Sequence, residues 1–187
     1  MYKIPILLGT TRKDNFSRLV ANFLQTELSK YQEVSWELMD LGNTDFPLLE
    51  YRVSAENNIT DQLEEWTNKI KSSDGMIVVS PEYKAGYPGS LKNFFDYLPP
   101  GVLRYKSVGL STVSSGVYAG TSCLQQLRQV IIAMAGIVVP DRFQVGNVQE
   151  FFDFEGQPAN EIQQKIARKF ISEMIKYTKV CKGFSEE

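Results

Sequence analysis

The chain contains no histidine among its 187 residues. That removes the commonest metal ligand, the usual proton shuttle near neutral pH and every histidine-containing catalytic triad, and no metal site is read. Cysteine is scarce as well. Cys123 and Cys181 stand far apart, forming neither a disulfide framework nor a CxxC motif, and both read as ordinary helix residues. Neither sign of charge is in excess: 20 basic residues face 22 acidic ones, for a formal net charge of -2. With no basic stripe, nucleic acid is not an expected partner. No run approaches the roughly eighteen apolar residues of a membrane span, and no leader is read at the N-terminus. The expectation is a soluble, cytoplasmic protein with no membrane partner. If it is an enzyme, the difficult chemistry falls to a cofactor.

What is present is an alternation. The chain reads as one domain over residues 1–187, large enough for a sizeable core. Ile4 to Leu8 is a buried-strand run, followed by a polar turn and a helix with apolar residues Leu19, Val20, Phe23, Leu24 and Leu28. Val34 to Leu41 is a second strand. Asn57 to Lys71 is helical, with Ile59, Leu63, Trp66 and Ile70 in register and Asn57 or Asn58 as cap. Gly75 to Ser80 is a central strand closed by Pro81, and Pro88 opens a helix that Pro99-Pro100 ends. Ser107 to Ser114 is the fourth strand. A helix follows from about Thr121 to Ala135, carrying Leu124, Leu127, Ile131 and Met134, widened by Val130, Ile132 and Ala133 and stopped by Gly136. Ile137 to Val139 is a short fifth strand, and the aromatic segment from Phe143 to Phe154 extends it or forms a hairpin arm. The last helix spans about Asn160 to Lys179, with Ile162, Ile166, Phe170 and Met174. Five strands alternating with helices imply a parallel sheet covered on both faces, with ligands beyond the carboxyl ends of the strands.

The first, third and fourth strands each end in a polar loop, at residues 9–15, 81–88 and 115–120. The first is a strand–turn–helix junction, where free helix N–H groups and the helix dipole favour an anion. Thr10, Thr11, Asn15 and Ser17 add short polar groups, and Arg12 adds a charge suited to phosphate. The loop has neither the Walker lysine pattern nor GxGxxG. A terminal monophosphate fits better, and flavin mononucleotide (FMN) in a flavodoxin-like fold is the strongest candidate. The same groups also suit plain helix capping.

Gly9-Thr10-x-Arg12-x-x-Asn15, the Pro81-Glu82-Tyr83 loop, Pro88-Gly89-x-Leu91-Lys92-Asn93, and Gly116 and Gly120 with Gln126-Leu127-Arg128 together resemble the NADPH-dependent FMN reductase family. The resemblance covers roughly residues 3 to 140. The family's first loop usually reads Gly-Ser-x-Arg-x-x-Ser, so Thr10 and Asn15 replace serines; Lys84 stands where asparagine is common. The resemblance implies a flavodoxin-like five-stranded parallel sheet in order 2-1-3-4-5 with helices on both faces. It implies that Thr10, Arg12, Asn15, Phe16 and Ser17 hold the FMN phosphate end. Pro81, Glu82, Tyr83 and Lys84 would wrap the ribityl chain and one side of the ring, and Ser115, Gly116 and Val117 would approach its pyrimidine edge. NADPH or NADH would reduce FMN, and a quinone, azo compound, metal oxyanion or free flavin would then be reduced in a ping-pong sequence. No side chain would be catalytic. A homodimer or homotetramer is implied, with residues 124–134 and the Phe94-Phe95-Tyr97-Leu98 cluster as candidate contacts.

Blander readings stand beside these. Glu82 suits orienting its loop rather than acid–base work, Tyr83 suits loop packing, and Lys84 suits a solvated charge. Phe151-Phe152-Asp153-Phe154 reads as packing, or as an arm from a neighbouring subunit. The alternative function is a flavin-binding electron-transfer or redox-regulatory protein without direct nicotinamide turnover.

Overall fold

Pro5 divides the first predicted strand, because it has no N–H to give to a ladder. The run becomes β1 (Tyr2–Lys3) and β2 (Ile6–Leu8), and its parallel neighbour becomes β3 (Val34–Ser35) and β4 (Leu38–Asp40). Bonds of 2.8 Å from Ile4 N to Ser35 O and from Ile6 N to Glu37 O carry the pairing across the break. The computed structural model describes residues 1–50, 60–153, 156–158 and 160–185. Its helices are α1 (Ser17–Leu28), α2 (Asp61–Ser72), α3 (Gly89–Tyr97), α4 (Thr121–Ala133) and α5 (Glu161–Ser185). The remaining strands are β5 (Gly75–Pro81), β6 (Ser107–Val113) and β7 (Ile137–Val145).

The five-stranded sheet has the order β4-β2-β5-β6-β7 and is parallel throughout. In terms of the predicted strands this is 2-1-3-4-5. Ile6, Leu8, Ile77, Val79 and Val113 share a core with α1 and α5. Leu7, Met76, Val78, Val108 and Leu110 share the other with α2, α3 and α4. Successive strand residues point to opposite faces and both faces are covered, so the strands read as unbroken apolar runs. Among the described residues no helix is long and apolar enough to cross a membrane.

Several boundaries and faces differ from the sequence reading. β7 runs on to Val145 and absorbs the start of the aromatic segment, while α5 continues to Ser185. The α4 helix stops at Ala133, where Gly136 N bonds back to Ile131 O at 2.9 Å. Thr60 caps α2 by accepting from Leu63 N at 3.2 Å; Asn57, Asn58 and Ile59 lie outside the described residues. On α5, Ile162 and Ile166 are exposed, while Ala167, Phe170, Ile171, Met174 and Ile175 are core. A series of fours slips about 40° per step around a 3.6-residue helix, so it walks off the buried face. Leu19 of α1 is likewise exposed.

Phe94, Phe95 and Leu98 are buried in the chain's own core and are not available as subunit contacts. Phe94 stacks on Phe46 at 5.8 Å and meets Trp66 edge-on at 5.4 Å between ring centroids. Phe151 and Phe152 pack on each other at 5.0 Å, and Phe152 reaches Phe23 at 6.0 Å; Phe154 lies outside the described residues.

Gly109 sits where β6 and β7 shift register, beneath α5. A Cβ there would lie 2.9 Å from Phe170 Cζ and 3.0 Å from Met174 Sδ. Gly109→Ala should cost about 1–3 kcal/mol by forcing α5 outward. An unchanged urea-unfolding midpoint would refute this packing account.

Candidate functional site

β4 and β5 flank β2 on opposite sides, so the strand order reverses at β2 and opens a crevice beyond the carboxyl ends of the strands. A cavity of about 280 Å³ lies there. It brings together the predicted residues Arg12, Asn15, Phe16, Ser17, Pro81, Glu82, Tyr83 and Ser115. Thr10, Lys84, Gly116 and Val117 do not line it. Its walls also include Asp14, Val113, Ser114, Val148 and Gln149, which the sequence reading did not single out. Val113 and Ser114 are the step from β6 into its loop, so strand position could have flagged them. Val148 and Gln149 carry no motif; they arrive because Ser114 pairs with the chain beyond β7, through Ser114 N to Val145 O at 2.9 Å and Val148 N to Ser114 O at 3.3 Å.

The first loop is set from below. A Cβ on Gly9 would lie 2.6 Å from Leu91 Cδ2, so a larger residue would have to push aside the buried Leu91 side chain of α3. Thr10 is fully buried; its Oγ1 accepts from Arg12 N at 3.2 Å and lies 2.9 Å from the Tyr83 hydroxyl. Asn15 donates from Nδ2 to Arg12 O at 2.7 Å and accepts at Oδ1 from Arg18 N at 2.9 Å, closing the turn and capping α1. Arg18 is paired with the buried Asp40, whose other oxygen accepts from Gly42 N at 2.9 Å. Arg12, by contrast, is exposed and lines the cavity.

The second loop is tied to α4. Glu82 Oε1 accepts from Cys123 N at 3.3 Å, so its carboxylate sits at the N-terminus of α4, whose own cap, Gly120, has no side chain. Tyr83 and Gly86 exchange backbone bonds of 2.7 and 3.0 Å around Lys84 and Ala85, both at positive φ (49° and 64°). This is a tight turn of the type I′ kind, whose preferred residues are asparagine and glycine. Gln126 of α4 donates to Ala85 O at 2.8 Å and fixes the turn.

The third loop folds on the carbonyl of Gly116, which accepts from Ser114 Oγ at 2.9 Å, Ala119 N at 3.3 Å and Asn147 N at 3.4 Å. Among the described residues, and leaving aside its chain neighbours, no atom lies within 4 Å of where a Gly116 Cβ would be, so the space beside it is open. Val117 and Tyr118 are exposed on the outside of this loop.

The wall chemistry divides the cavity. Arg12, Asn15, Ser17 and the start of α1 make one end suited to an anion, since the first N–H groups of a helix lack intrahelical acceptors. Pro81, Val113 and Val148 supply apolar surface beside it. A phosphorylated, flat, largely apolar ligand fits this division.

Residues 2–150 match the family described as NADPH-dependent FMN reductase. The chain belongs to that family. It is 33% identical to a quinone reductase of Escherichia coli over 156 residues, 81% of either chain. It is 26% identical to an FMN-dependent NADPH-azoreductase of Staphylococcus saprophyticus over 93% of this chain and 94% of that one. A flavoenzyme NAD(P)H:(acceptor) oxidoreductase from Paracoccus denitrificans superposes with a TM-score of 0.77 at 18% identity, covering 96% of this chain and 98% of that chain. The fold is therefore flavodoxin-like, and the family is one of FMN-dependent NAD(P)H oxidoreductases.

Cys123 neighbours the site without lining it. Its Sγ lies 3.7 Å from both Ser80 Oγ and Pro81 O, and burial pushes the thiol from 9.0 up to about 11. The folded thiol should stay inert to iodoacetamide at pH 8 and react once unfolded. Between pH 9 and 11 the unfolded chain loses this proton first, so stability should fall as pH rises through that window. Rapid labelling of Cys123 in the folded protein at pH 8 would contradict the assignment. At the turn, Ala85→Gly should raise stability by about 0.5–1 kcal/mol, because it relieves a left-handed alanine. A lower melting temperature would count against the turn geometry.

Proposed function

We propose that the cavity holds FMN with its phosphate toward Arg12, Asn15, Ser17 and the start of α1, and its ring toward the loops after β5 and β6. The observation that carries this reading is the meeting of three sequence-distant loops at the strand-order switch, with a helix N-terminus and an exposed arginine at one end. FMN held there would supply the redox chemistry: hydride acceptance from NADPH or NADH and electron delivery to a small acceptor in a ping-pong sequence. Arg12 binds the dianion, and the backbone beside Gly116 offers N–H and C=O groups to a ring edge. Phe16 and Tyr83 add aromatic surface to the cavity wall.

Quinones and azo compounds, the substrates named for the relatives, are the acceptor classes to try first. The chain acts as one domain, is cytoplasmic and pairs with itself as a dimer or tetramer. Exposed Ile132 on α4 and Tyr118 beside the site are the surface such a pairing would cover. Lys84, exposed on the turn that follows cavity-lining Tyr83, would meet a phosphate of NADPH.

The protein should take up FMN, and anaerobic NADPH or NADH should bleach its visible band within the mixing time of a few equivalents. Arg12→Ala should weaken FMN about tenfold or more while leaving riboflavin affinity unchanged, because only the phosphate contact is lost. Flavin that neither donor reduces would favour an electron-transfer role. No flavin uptake would overturn the cavity assignment.

A further inference from the structure

We infer that the Tyr83 hydroxyl is a phosphate-end donor of the flavin site, and that Thr10 is a positioning residue that aims it without touching the ligand. This rests on the FMN reading above. It starts from a proton count. A threonine hydroxyl has one proton to give and two lone pairs. Thr10 Oγ1 already accepts from Arg12 N at 3.2 Å, a group that can only donate. Its second partner is the Tyr83 hydroxyl at 2.9 Å.

If the phenol donated, Thr10 would accept twice and its own proton would need another acceptor. Thr10 is 0% exposed, and its hydroxyl has no further partner among the described residues. A buried donor left unmade costs its full desolvation penalty. If Thr10 donates instead, every group on it is satisfied and the unspent proton is the phenol's. Tyr83 is 36% exposed and lines the cavity, so that proton can meet water or a ligand there.

The position of the hydroxyl decides what it meets. Tyr83 is rooted in the second loop, yet its oxygen lies within hydrogen-bond reach of Thr10 at the base of the first. The ring therefore spans the cavity wall, and its polar tip ends beside the anion-binding turn that holds Arg12 and Asn15. A phosphate oxygen accepts strongly from such a donor. Thr10, although it occupies a serine position of the family's first-loop motif, is sealed beneath the loop.

The test is flavin affinity by fluorescence quenching, with FMN and riboflavin compared in each variant and folding checked by circular dichroism. Tyr83→Phe keeps the ring and removes the donor; it should weaken FMN about tenfold and leave riboflavin unchanged. Thr10→Val should lower the preference for FMN over riboflavin, and Thr10→Ser should restore it. The double variant Thr10→Val with Tyr83→Phe should show the preference of Tyr83→Phe alone. A Tyr83→Phe protein with undiminished FMN preference would overturn the inference while the wild type's FMN binding left the site reading intact. A further loss of preference in the double variant would also overturn it, since Thr10 would then touch phosphate itself. Wild-type protein that binds neither flavin would sink the site reading instead.

Discussion

The close approach of Gly9 to Leu91 is the constraint on which the site depends. Gly9 N still extends the sheet, bonding Val79 O at 2.8 Å, so the chain leaves β2 at a fixed height and without a side chain between it and α3. The next residue must then turn its side chain into the interior, where the Tyr83 hydroxyl meets it. Two loops separated by some seventy residues are thereby fixed side by side. The same helix steadies the far edge. Asn93 of α3 accepts from Leu49 N at 2.9 Å and donates to Pro47 O at 2.7 Å, holding the chain that follows β4. The Pro88-to-Asn93 motif thus carries its weight as scaffold: Leu91 sets the first loop and Asn93 sets the outer one.

Charge is spent sparingly in this cleft. Its walls include one arginine and two carboxylates, Asp14 and Glu82, which is a poor sum for an anion site. Glu82 is turned away to the N-terminus of α4, where the helix dipole offsets its charge. Arg18, in the first turn of α1, is committed to buried Asp40. What remains for an anion is Arg12, the backbone at the start of α1 and, on the inference above, the Tyr83 hydroxyl. A site made chiefly of backbone donors is preorganised and needs no titrating group, which is how a chain without histidine can serve a redox cofactor.

The parallel sheet and the three converging loops were legible in the sequence because apolar runs and loop punctuation are local signals, whereas the strand order came only with the family resemblance. Which residue of a loop faces the ligand was not. Thr10 and Asn15 look equivalent as short polar groups, yet one is buried under Tyr83 and the other closes a turn at the cavity wall. The difference depends on α3 and the second loop, which are distant in sequence. Phe94 and Phe95 illustrate the same limit. An aromatic cluster on a helix tells that something covers it, and here the cover is Phe46 and Trp66 of the same chain rather than a second subunit. Val148 and Gln149 were invisible for a further reason: they reach the cavity only because β7 lies beside β6.

The turn at Lys84 and Ala85 holds backbone strain beside the cavity that Tyr83 lines. Two non-glycine residues at positive φ cost roughly 1–3 kcal/mol each, and such strain persists only where the surroundings over-determine the backbone. Here the determinants are Gln126 on Ala85 O, Glu82 on α4, and the paired bonds of Tyr83 with Gly86. All three act on the residues that flank Tyr83 or on its own backbone. Relaxing the turn would let Tyr83 swing, and the phenol would lose its reach to Thr10. The strained turn and the buried threonine therefore hold one side chain from its two ends, and that side chain forms a wall of the cleft.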